Sequence, residues 1–344
     1  MTYPIPVIDL EASGHQPSAG VLNTIADAIE QVGIVQVTGH GVAPGLITEF
    51  DRHAARLLEQ PRSEKARLAS PTGHPYRGWR QWPDDFGRLE LERYNVAQFD
   101  TPQDAKAAGV PDAYLGLYAH PNVWPADDPR LRELTFGYID AARHLAQRML
   151  GLYALALGQP VDTFGLGSLP HVRLTVNDYP TWTYPEAAGD GDEDKLLLLE
   201  HSDDSAVTVL SQVGDYEGLQ VQTPDGGWQA VPIIPGALQI LSGNLLARWS
   251  NGRLRPGRHR VVAGGTVTRR STAVFCYPSL QTVVAPLPPF VGPEGATQPG
   301  VLVWDQVKSR VEKYLEEFGR PDQLAAWRDG KPYVAPLADI PSGR

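Results

Sequence analysis

Apolar residues recur at helical spacing in four stretches of the chain, which predicts four amphipathic helices. The first stretch runs from Leu22 to Ile29 and leads into GIVQVTGHG, a β-rich segment closed by glycines, so a strand follows this helix. The other three cover residues 43–58, 130–157 and about 304–318. We expect the helices at 43–58 and 130–157 to brace a sheet.

The pattern changes between residues 171 and 284, where short β-patterned runs alternate with Gly, Pro, Asn and Asp. These runs are HVRLTVNDY, AVTVLSQ, GLQVQT, WQAVPI, ALQILSG, HRVVAG and STAVFCYP. Many short strands at this spacing predict a sandwich or a barrel. The acidic, glycine-bearing segment YPEAAGDGDEDK is expected to form a mobile surface loop, which could act as a flap.

Composition and charge narrow the classes of protein that fit. The 344 residues, 42% hydrophobic and 20% charged, are typical of a globular chain long enough to bury a large core. The net charge of −10 argues against nucleic acid as a partner. The single Cys276 cannot form an internal disulfide, and no leader or membrane-spanning pattern is present, so we expect a cytoplasmic protein without a membrane partner.

A candidate metal site follows the leucine run at residues 196–199. Of the nine histidines, only His201 has a carboxylate, Asp203, two residues later on a candidate strand, where alternation places both side chains on one face. Such a triplet is weak evidence alone. His259, which opens the run HRVVAG, is the candidate third ligand. Two imidazoles and one carboxylate leave open positions on a divalent metal, as in non-haem Fe(II) oxygenases.

A candidate anion site lies in the run RRSTAVF. Alternation along this strand places Arg269, Ser271, Ala273 and Phe275 on one face and Arg270 on the other. A buried guanidinium with a neighbouring hydroxyl binds a carboxylate in a fork and stays charged at any working pH. The alternative interpretation of the same residues is a solvated basic turn.

Motifs in the same order along nearly the whole chain resemble those of the isopenicillin N synthase-like Fe(II)- and 2-oxoglutarate-dependent dioxygenases. They include PVIDL, GIVQVTGHGV, LLEQPRSEKARL, NVWP, LTVNDYP, HSD, the long stretch from GLQVQ to HRV, and RRS. The resemblance implies a mainly β fold with flanking helices, built on a double-stranded β-helix (a jelly roll, cupin-like). It also implies four segments: an N-terminal segment at 1–125, a bracing helix at 126–165, the jelly-roll core at 166–285, and a C-terminal helix and tail at 286–344.

The resemblance also implies roles for individual residues. The implied iron ligands are His201, Asp203 and His259. The implied 2-oxoglutarate site consists of Arg269 and Ser271 on the distal carboxylate, with Asn177 and Tyr179 lining the same pocket. Candidate substrate contacts are Tyr94, Asn95, Trp182, Phe275 and Tyr277.

Three positions depart from the family pattern. Ser202 replaces the usual Thr, Thr175 stands where the family often has Arg, and Asn244 stands where it often has Asp. The support that these side chains give to the site is therefore in question. Asp203 is present, which argues against the halogenating members, where a small residue frees a position for chloride.

The implied activity is oxidation of an unactivated C–H bond of a small molecule, by hydroxylation, desaturation or cyclisation, coupled to decarboxylation of 2-oxoglutarate to succinate and CO2. Fe(II), 2-oxoglutarate and O2 are the implied cofactors, with ascorbate as a candidate reductant. We expect a monomer or weak homo-oligomer in secondary metabolism. The alternatives are an oxidase that uses O2 without 2-oxoglutarate, a Zn(II) hydrolase with the same ligands, and a non-catalytic binding protein.

Overall fold

Two large β-sheets, a two-stranded sheet formed by residues 283–284 and 301–302, and a set of flanking helices form the structure, a computed structural model that describes residues 3, 5–14, 17–83, 90–179, 196–264, 268–317 and 321–329. The strands are β1 Val7–Asp9, β2 Ile34–Thr38, β3 Gly78–Pro83, β4 Glu90–Ala97, β5 His171–Tyr179, β6 Leu196–His201, β7 Val207–Val213, β8 Leu219–Gln222, β9 Trp228–Ala230, β10 Leu238–Ser242, β11 His259–Val262, β12 Arg269–Tyr277, β13 Val283–Val284 and β14 Val301–Leu302. The α-helices are α1 Leu10–Ser13, α2 Ala19–Gln31, α3 Pro44–Leu58, α4 Arg62–Ala66, α5 Pro102–Ala107, α6 Pro129–Ala156, α7 Asn244–Trp249, α8 Val303–Glu317 and α9 Pro321–Arg328.

The larger sheet has eight strands in the order β1-β2-β10-β7-β12-β5-β4-β3, and the smaller has four in the order β6-β11-β8-β9. Their strands pair antiparallel except β1 with β2. Apolar side chains of both sheets form one buried cluster, to which β5 contributes Tyr179, β12 Ala273, β6 Leu197 and β11 Val261. The sheets therefore face each other across a shared interior, as β-rich patterning at 171–284 predicts.

Helix α6 braces the other face of the larger sheet. Asp128 caps its first turn by accepting a hydrogen bond from the backbone N–H of Leu131, and Pro129 occupies the first helical position. The same carboxylate lies 2.6 Å from Nδ1 of His53 on α3, which ties the two helices together. The predicted helices at 43–58, 130–157 and 304–318 are confirmed as α3, α6 and α8.

The first 125 residues do not fold apart from the core. Strands β1 to β4 all come from this segment and belong to the same sheet as β5, β7, β10 and β12. The four segments proposed from the sequence therefore mark stretches of chain, and the N-terminal one completes the sheet of the jelly-roll segment. The predicted acidic loop at 184–195 lies outside the described residues. Among those described, the helices all lack the combination of length and apolar character that crossing a bilayer requires.

Three buried histidines cluster at one end of the larger sheet. The rings of His74 and His120 lie 4.6 Å apart, and Nδ1 of His171 lies 3.1 Å from the hydroxyl of Tyr118. Burial, and after it the charge of Arg77, lowers the pKa of His120 to about 4 and that of His171 to about 3. These imidazoles are therefore neutral in the folded protein at pH 7.

This cluster makes folding stability fall in mild acid. An unfolded histidine takes up a proton near pH 6.5, whereas folded His171 does so only near pH 3, so stability is lost as pH falls through this window. Between pH 7 and pH 5 we expect His171 alone to account for about 2 kcal/mol of that loss. Between these two pH values, the free energy of unfolding of His171→Gln should fall by about 2 kcal/mol less than that of the parent. Urea unfolding at each pH measures this difference. An unchanged pH dependence in His171→Gln would contradict this assignment.

Candidate active site

His201, Asp203 and His259 meet in the space between the two sheets. His201 ends β6 and lies directly across from His259, the first residue of β11, with ring centroids 4.3 Å apart. One potential ligand atom from each of the three side chains lies within 4.8 Å of the others. Strand β6 ends at His201, so the expectation that Asp203 follows on the same strand is wrong. The chain turns after His201 and still brings Oδ1 of Asp203 to 3.8 Å from Nε2 of His201.

Backbone carbonyls fix the orientation of both imidazoles. Nδ1 of His201 lies 2.9 Å from the carbonyl oxygen of Leu199, and Nδ1 of His259 lies 2.8 Å from that of Gly257. Because a carbonyl oxygen can only accept, each Nδ1 carries a hydrogen. Nε2 is therefore the atom through which each imidazole can bind a metal ion.

Asp203 is held from two sides. Its Oδ2 accepts a 2.6 Å hydrogen bond from the hydroxyl of Thr208 on β7, and its carbonyl oxygen accepts a 2.8 Å bond from the backbone N–H of Asn244. The side chain of Asn244 is exposed, so the replacement of the usual Asp leaves this backbone contact intact. Sequence analysis missed Thr208, because nothing in the run AVTVLSQ signals which hydroxyl meets the carboxylate.

The protonation states in this cluster favour metal binding. Burial and then the nearby His259 lower the pKa of His201, so its ring is neutral at pH 7. Burial opposes ionisation of Asp203, but the adjacent imidazoles and the Thr208 hydroxyl outweigh burial and lower the pKa of this carboxyl. A neutral imidazole and an ionised carboxylate are the forms that bind divalent metals.

Arg269 is buried at one end of strand pair β5–β12. Its guanidinium carbon lies 4.8 Å from the ring centroid of Tyr179, its cross-strand neighbour, and Nη2 donates a 2.6 Å bond to Oε1 of Gln212. Its Nε and Nη1 are buried without a hydrogen-bond partner among the described residues. Nδ2 of Asn177 donates to the Ser271 hydroxyl at 3.4 Å. A buried cation with unused donors is suited to bind an anion.

Arg270, the next residue, faces the opposite side of the sheet. Its Nε lies 2.9 Å from Oδ1 of Asp178, the residue directly across on β5. The two neighbouring arginines thus have opposite environments. Arg270 has a carboxylate partner, whereas Arg269 faces the interior shared by the two sheets.

A cavity between the two sheets joins these features. Its lining includes His201, Asp203 and His259 together with the predicted anion-site residues Asn177, Tyr179, Arg269 and Ser271. Five polar lining residues were missed by sequence analysis: Tyr76, Arg93, Arg173, Thr208 and Arg310. Arg173 could have been found, because it precedes Thr175 and Asn177 at the strand period of two. Arg310 lies on α8, and its place at the cavity depends on tertiary packing that the local pattern does not specify.

The five candidate substrate residues occupy different places. Asn95 and Phe275 line the cavity. Tyr94 is buried elsewhere, where its hydroxyl donates a 2.6 Å bond to the carbonyl oxygen of Val123. Tyr277 lies beside the cavity and donates a 2.7 Å bond to Oδ1 of Asp204. Trp182 lies outside the described residues.

The contrast between the adjacent arginines predicts opposite effects on stability. In metal-free protein without added ligand, Arg269→Met should be neutral or raise the free energy of unfolding by about 1 kcal/mol, since it removes two unsatisfied buried donors. Arg270→Met should lower it by about 3 kcal/mol, because it leaves the Asp178 carboxylate buried without its cation. Urea unfolding of both variants in the presence of a chelator measures the difference. An equal loss in the two variants would show that Arg269 is as fully satisfied as Arg270.

Two family descriptions match the chain. The 2OG-Fe(II) oxygenase superfamily matches residues 172–278, which span β5 to β12. The description "non-haem dioxygenase in morphine synthesis N-terminal" matches residues 5–127. The residues of the candidate metal and anion sites all fall in the first of these matches.

Individual relatives match over most of their length. Validamycin A dioxygenase of Streptomyces hygroscopicus subsp. limoneus is 28% identical, with 99% of this chain and 97% of the relative covered. A feruloyl CoA ortho-hydroxylase of Ipomoea batatas is 31% identical, with 88% of this chain and 79% of the relative covered. The crystal structure of JOX2 in complex with 2OG, Fe and JA superposes with a TM-score of 0.71 at 25% identity. The match covers 89% of this chain and 84% of the JOX2 chain. The predicted jelly-roll fold class is confirmed by this likeness.

Proposed function

The chain belongs to the 2OG-Fe(II) oxygenase superfamily, and from this premise we propose which residues carry the activity and what they act on. It is a non-haem dioxygenase that uses Fe(II), 2-oxoglutarate and O2 to oxidise a small molecule. The family resemblance inferred from the sequence motifs is thereby confirmed. The roles of single residues, the type of C–H oxidation and the nature of the substrate are the content of the proposal.

We assign the iron ligands to His201, Asp203 and His259. The observation that carries this assignment is the convergence of two imidazole nitrogens and one buried carboxylate within 4.8 Å. Such a set occupies one side of a divalent metal and leaves other positions open for ligands that change during a reaction. Thr208 acts on the site through Asp203, because its hydroxyl fixes the carboxylate from the opposite side.

We assign the distal carboxylate of 2-oxoglutarate to Arg269 and Ser271. The two unsatisfied nitrogens of Arg269 support this, since a bidentate carboxylate would supply their acceptors. The Ser271 hydroxyl lies two residues along the same strand face and already contacts Asn177. Tyr179 packs against the guanidinium and fixes its plane.

With iron and 2-oxoglutarate bound, the cofactors supply oxidation of a C–H bond with conversion of 2-oxoglutarate and O2 to succinate and CO2. The protein supplies orientation and a dry interior. Arg269 fixes the direction of 2-oxoglutarate from its far end. Apolar residues from both sheets line the same cavity and exclude water: Leu198, Leu210, Leu219, Leu241 and Val261. The distance from the metal to each C–H bond of the bound substrate then decides which bond reacts.

We propose a tailoring oxidation in secondary metabolism, by hydroxylation, desaturation or ring formation. The names of validamycin A dioxygenase and of feruloyl CoA ortho-hydroxylase, both similar over most of the chain, support this class of substrate. We also propose a cytoplasmic monomer or weak homo-oligomer without nucleic-acid or membrane partners. The net charge of −10 supports the exclusion of nucleic acid.

The metal assignment predicts a graded loss of iron binding. Asp203→Ala and His259→Ala should abolish the absorption band that appears when Fe(II) and 2-oxoglutarate are added without oxygen, and with it turnover. Thr208→Val should weaken Fe(II) binding about 10- to 100-fold, since it removes only the hydrogen bond to Asp203. The exposed His144→Ala serves as the control and should bind like the parent. Parental iron affinity in Asp203→Ala, or activity that persists without oxygen, would contradict the assignment.

The cosubstrate assignment predicts separate effects on iron and on 2-oxoglutarate. Arg269→Met should raise the Kd for 2-oxoglutarate about 100-fold, because a charge-assisted fork is lost, and should leave Fe(II) affinity unchanged. Anaerobic titration of 2-oxoglutarate at saturating Fe(II) measures this. One succinate should form for each product molecule. Product without succinate would instead favour an oxidase that draws its electrons from the substrate alone.

A further inference from the structure

A second arginine occupies the other end of the strand pair that carries Arg269. Arg173 lies on β5 directly opposite Phe275 on β12, and its guanidinium carbon is 3.7 Å from the Phe275 ring centroid and 4.9 Å from that of Tyr76. Arg269 is stacked on its own cross-strand neighbour, Tyr179, in the same way. The seven residues from 269 to 275 span roughly 20 Å of strand. The cavity thus has a stacked guanidinium at each end.

Arg173 is a buried charge without a counter-ion among the described residues. It is 8% exposed, and its polar contact is a 3.3 Å bond from Nη1 to the Thr175 hydroxyl. By contrast, Arg310 at the same end lies 3.4 Å from Oδ2 of Asp204 and donates to the Tyr76 hydroxyl at 3.2 Å. A buried cation left without an anion is costly, and such groups persist where a ligand supplies the missing charge.

Arg173 and Thr175 both line the cavity. The short Thr175 side chain lies two residues further along the same strand face and accepts a hydrogen bond from Nη1 of Arg173. Arg93 on β4 lines the same cavity but lies directly across from Asn177, nearer the Arg269 end. Burial lowers the pKa of Arg93 to about 10, so this side chain is still charged at neutral pH. At the Arg173 end, the second guanidinium that lines the cavity is that of Arg310.

The position of Arg173 relative to the proposed iron ligands suits a substrate. Thr208 on β7 pairs with Phe275 in the sheet, on the side opposite Arg173, and its hydroxyl donates to Asp203. A group bound by Arg173 is therefore separated from the proposed metal ligands by about the length of one side chain. A small molecule can span that distance and present a C–H bond to the metal.

We propose that Arg173 binds a carboxylate of the substrate, so that the substrate class is small organic acids. This inference rests on the proposed function, because it takes Arg269 as the site of 2-oxoglutarate and leaves Arg173 for the second acid. Stacking against Phe275 and Tyr76 fixes the plane of the guanidinium and leaves its edge to donate two parallel hydrogen bonds. That fork matches a planar carboxylate.

Calorimetric binding to the protein saturated with Fe(II) and 2-oxoglutarate, without oxygen, tests the proposal. The probes are benzoate and 3-phenylpropanoate, each compared with its uncharged primary amide. At least one acid should bind ten times more tightly than its amide. Arg173→Met should remove this preference and weaken that acid at least tenfold, whereas Arg173→Lys should keep part of it, because it retains the charge without the fork.

The matched control is Arg132→Met. Arg132 also stacks on a phenylalanine, with its guanidinium carbon 5.0 Å from the Phe136 ring, but its side chain is 51% exposed on α6 and pairs with Asp100, and it is not among the residues that line the cavity. This variant loses the same charge and should keep the parental preference for acids. The band formed with Fe(II) and 2-oxoglutarate shows that each variant is folded.

Three results would overturn the proposal: no preference for acid over amide in either pair with the parent protein, a preference that survives in Arg173→Met, or tighter binding of phenyl phosphate than of benzoate. The first of these needs no variant, so the test stands even if Arg173→Met does not fold. Failure of the proposed function gives a different result, because then no absorption band forms with Fe(II) and 2-oxoglutarate even before a probe is added.

Discussion

Nine consecutive cross-strand pairs join His171–Tyr179 to Arg269–Tyr277, and the chemistry of the cavity depends on their register. The pairing sets Arg269 beside Tyr179, Ser271 beside Asn177, and Phe275 beside Arg173. Because side chains alternate between faces, a slip of one residue would turn each of these groups away from the cavity and bring Arg270 inward. Strand β7 on one side and β4 on the other hold the pair in place, so the central strands of the larger sheet fix the geometry of the site.

The same arrangement includes buried polar groups that lower stability and favour ligand binding. Arg269 retains buried donors without acceptors, and Asn177 has a buried carbonyl oxygen in the same condition among the described residues. A sequence selected for stability alone would place apolar side chains there. Buried polar atoms without a partner also occur elsewhere in the described sheet, for example on Ser211 of β7 and on Gln239 of β10. At the cavity, unlike at those positions, a bound ligand can supply the missing partner.

Much of the site could be predicted from the sequence. Strand periodicity correctly places Arg269, Ser271 and Phe275 on one face and Arg270 on the other, since that rule depends only on local geometry. The same rule, applied to Tyr94 and Asn95, shows that two adjacent residues of one strand cannot both face the cavity, and Asn95 is the one that does. The expectation for Asp203 failed because a strand end is set by pairing with neighbours, which the local pattern does not report.

Contacts made by tertiary packing lie beyond such rules. Thr208, Tyr76 and Arg310 reach the cavity from three different elements, and their positions depend on how β7, the loop before β3 and helix α8 pack together. The family resemblance identifies the residues that all members need. It carries no information on the residues in which members differ.

The end of the cavity away from Arg269 is a junction of three distant parts of the chain. Tyr76 comes from the N-terminal segment, Asp204 from the turn after the proposed ligand Asp203, and Arg310 from the C-terminal helix, and these three side chains contact one another through Arg310. Substrate selectivity that depends on this junction cannot be transferred with a single segment of the chain. A chimera of two homologous chains, with any crossover between these positions, would combine a tyrosine from one parent with an arginine from the other, so divergence at this wall has to proceed by coordinated substitution.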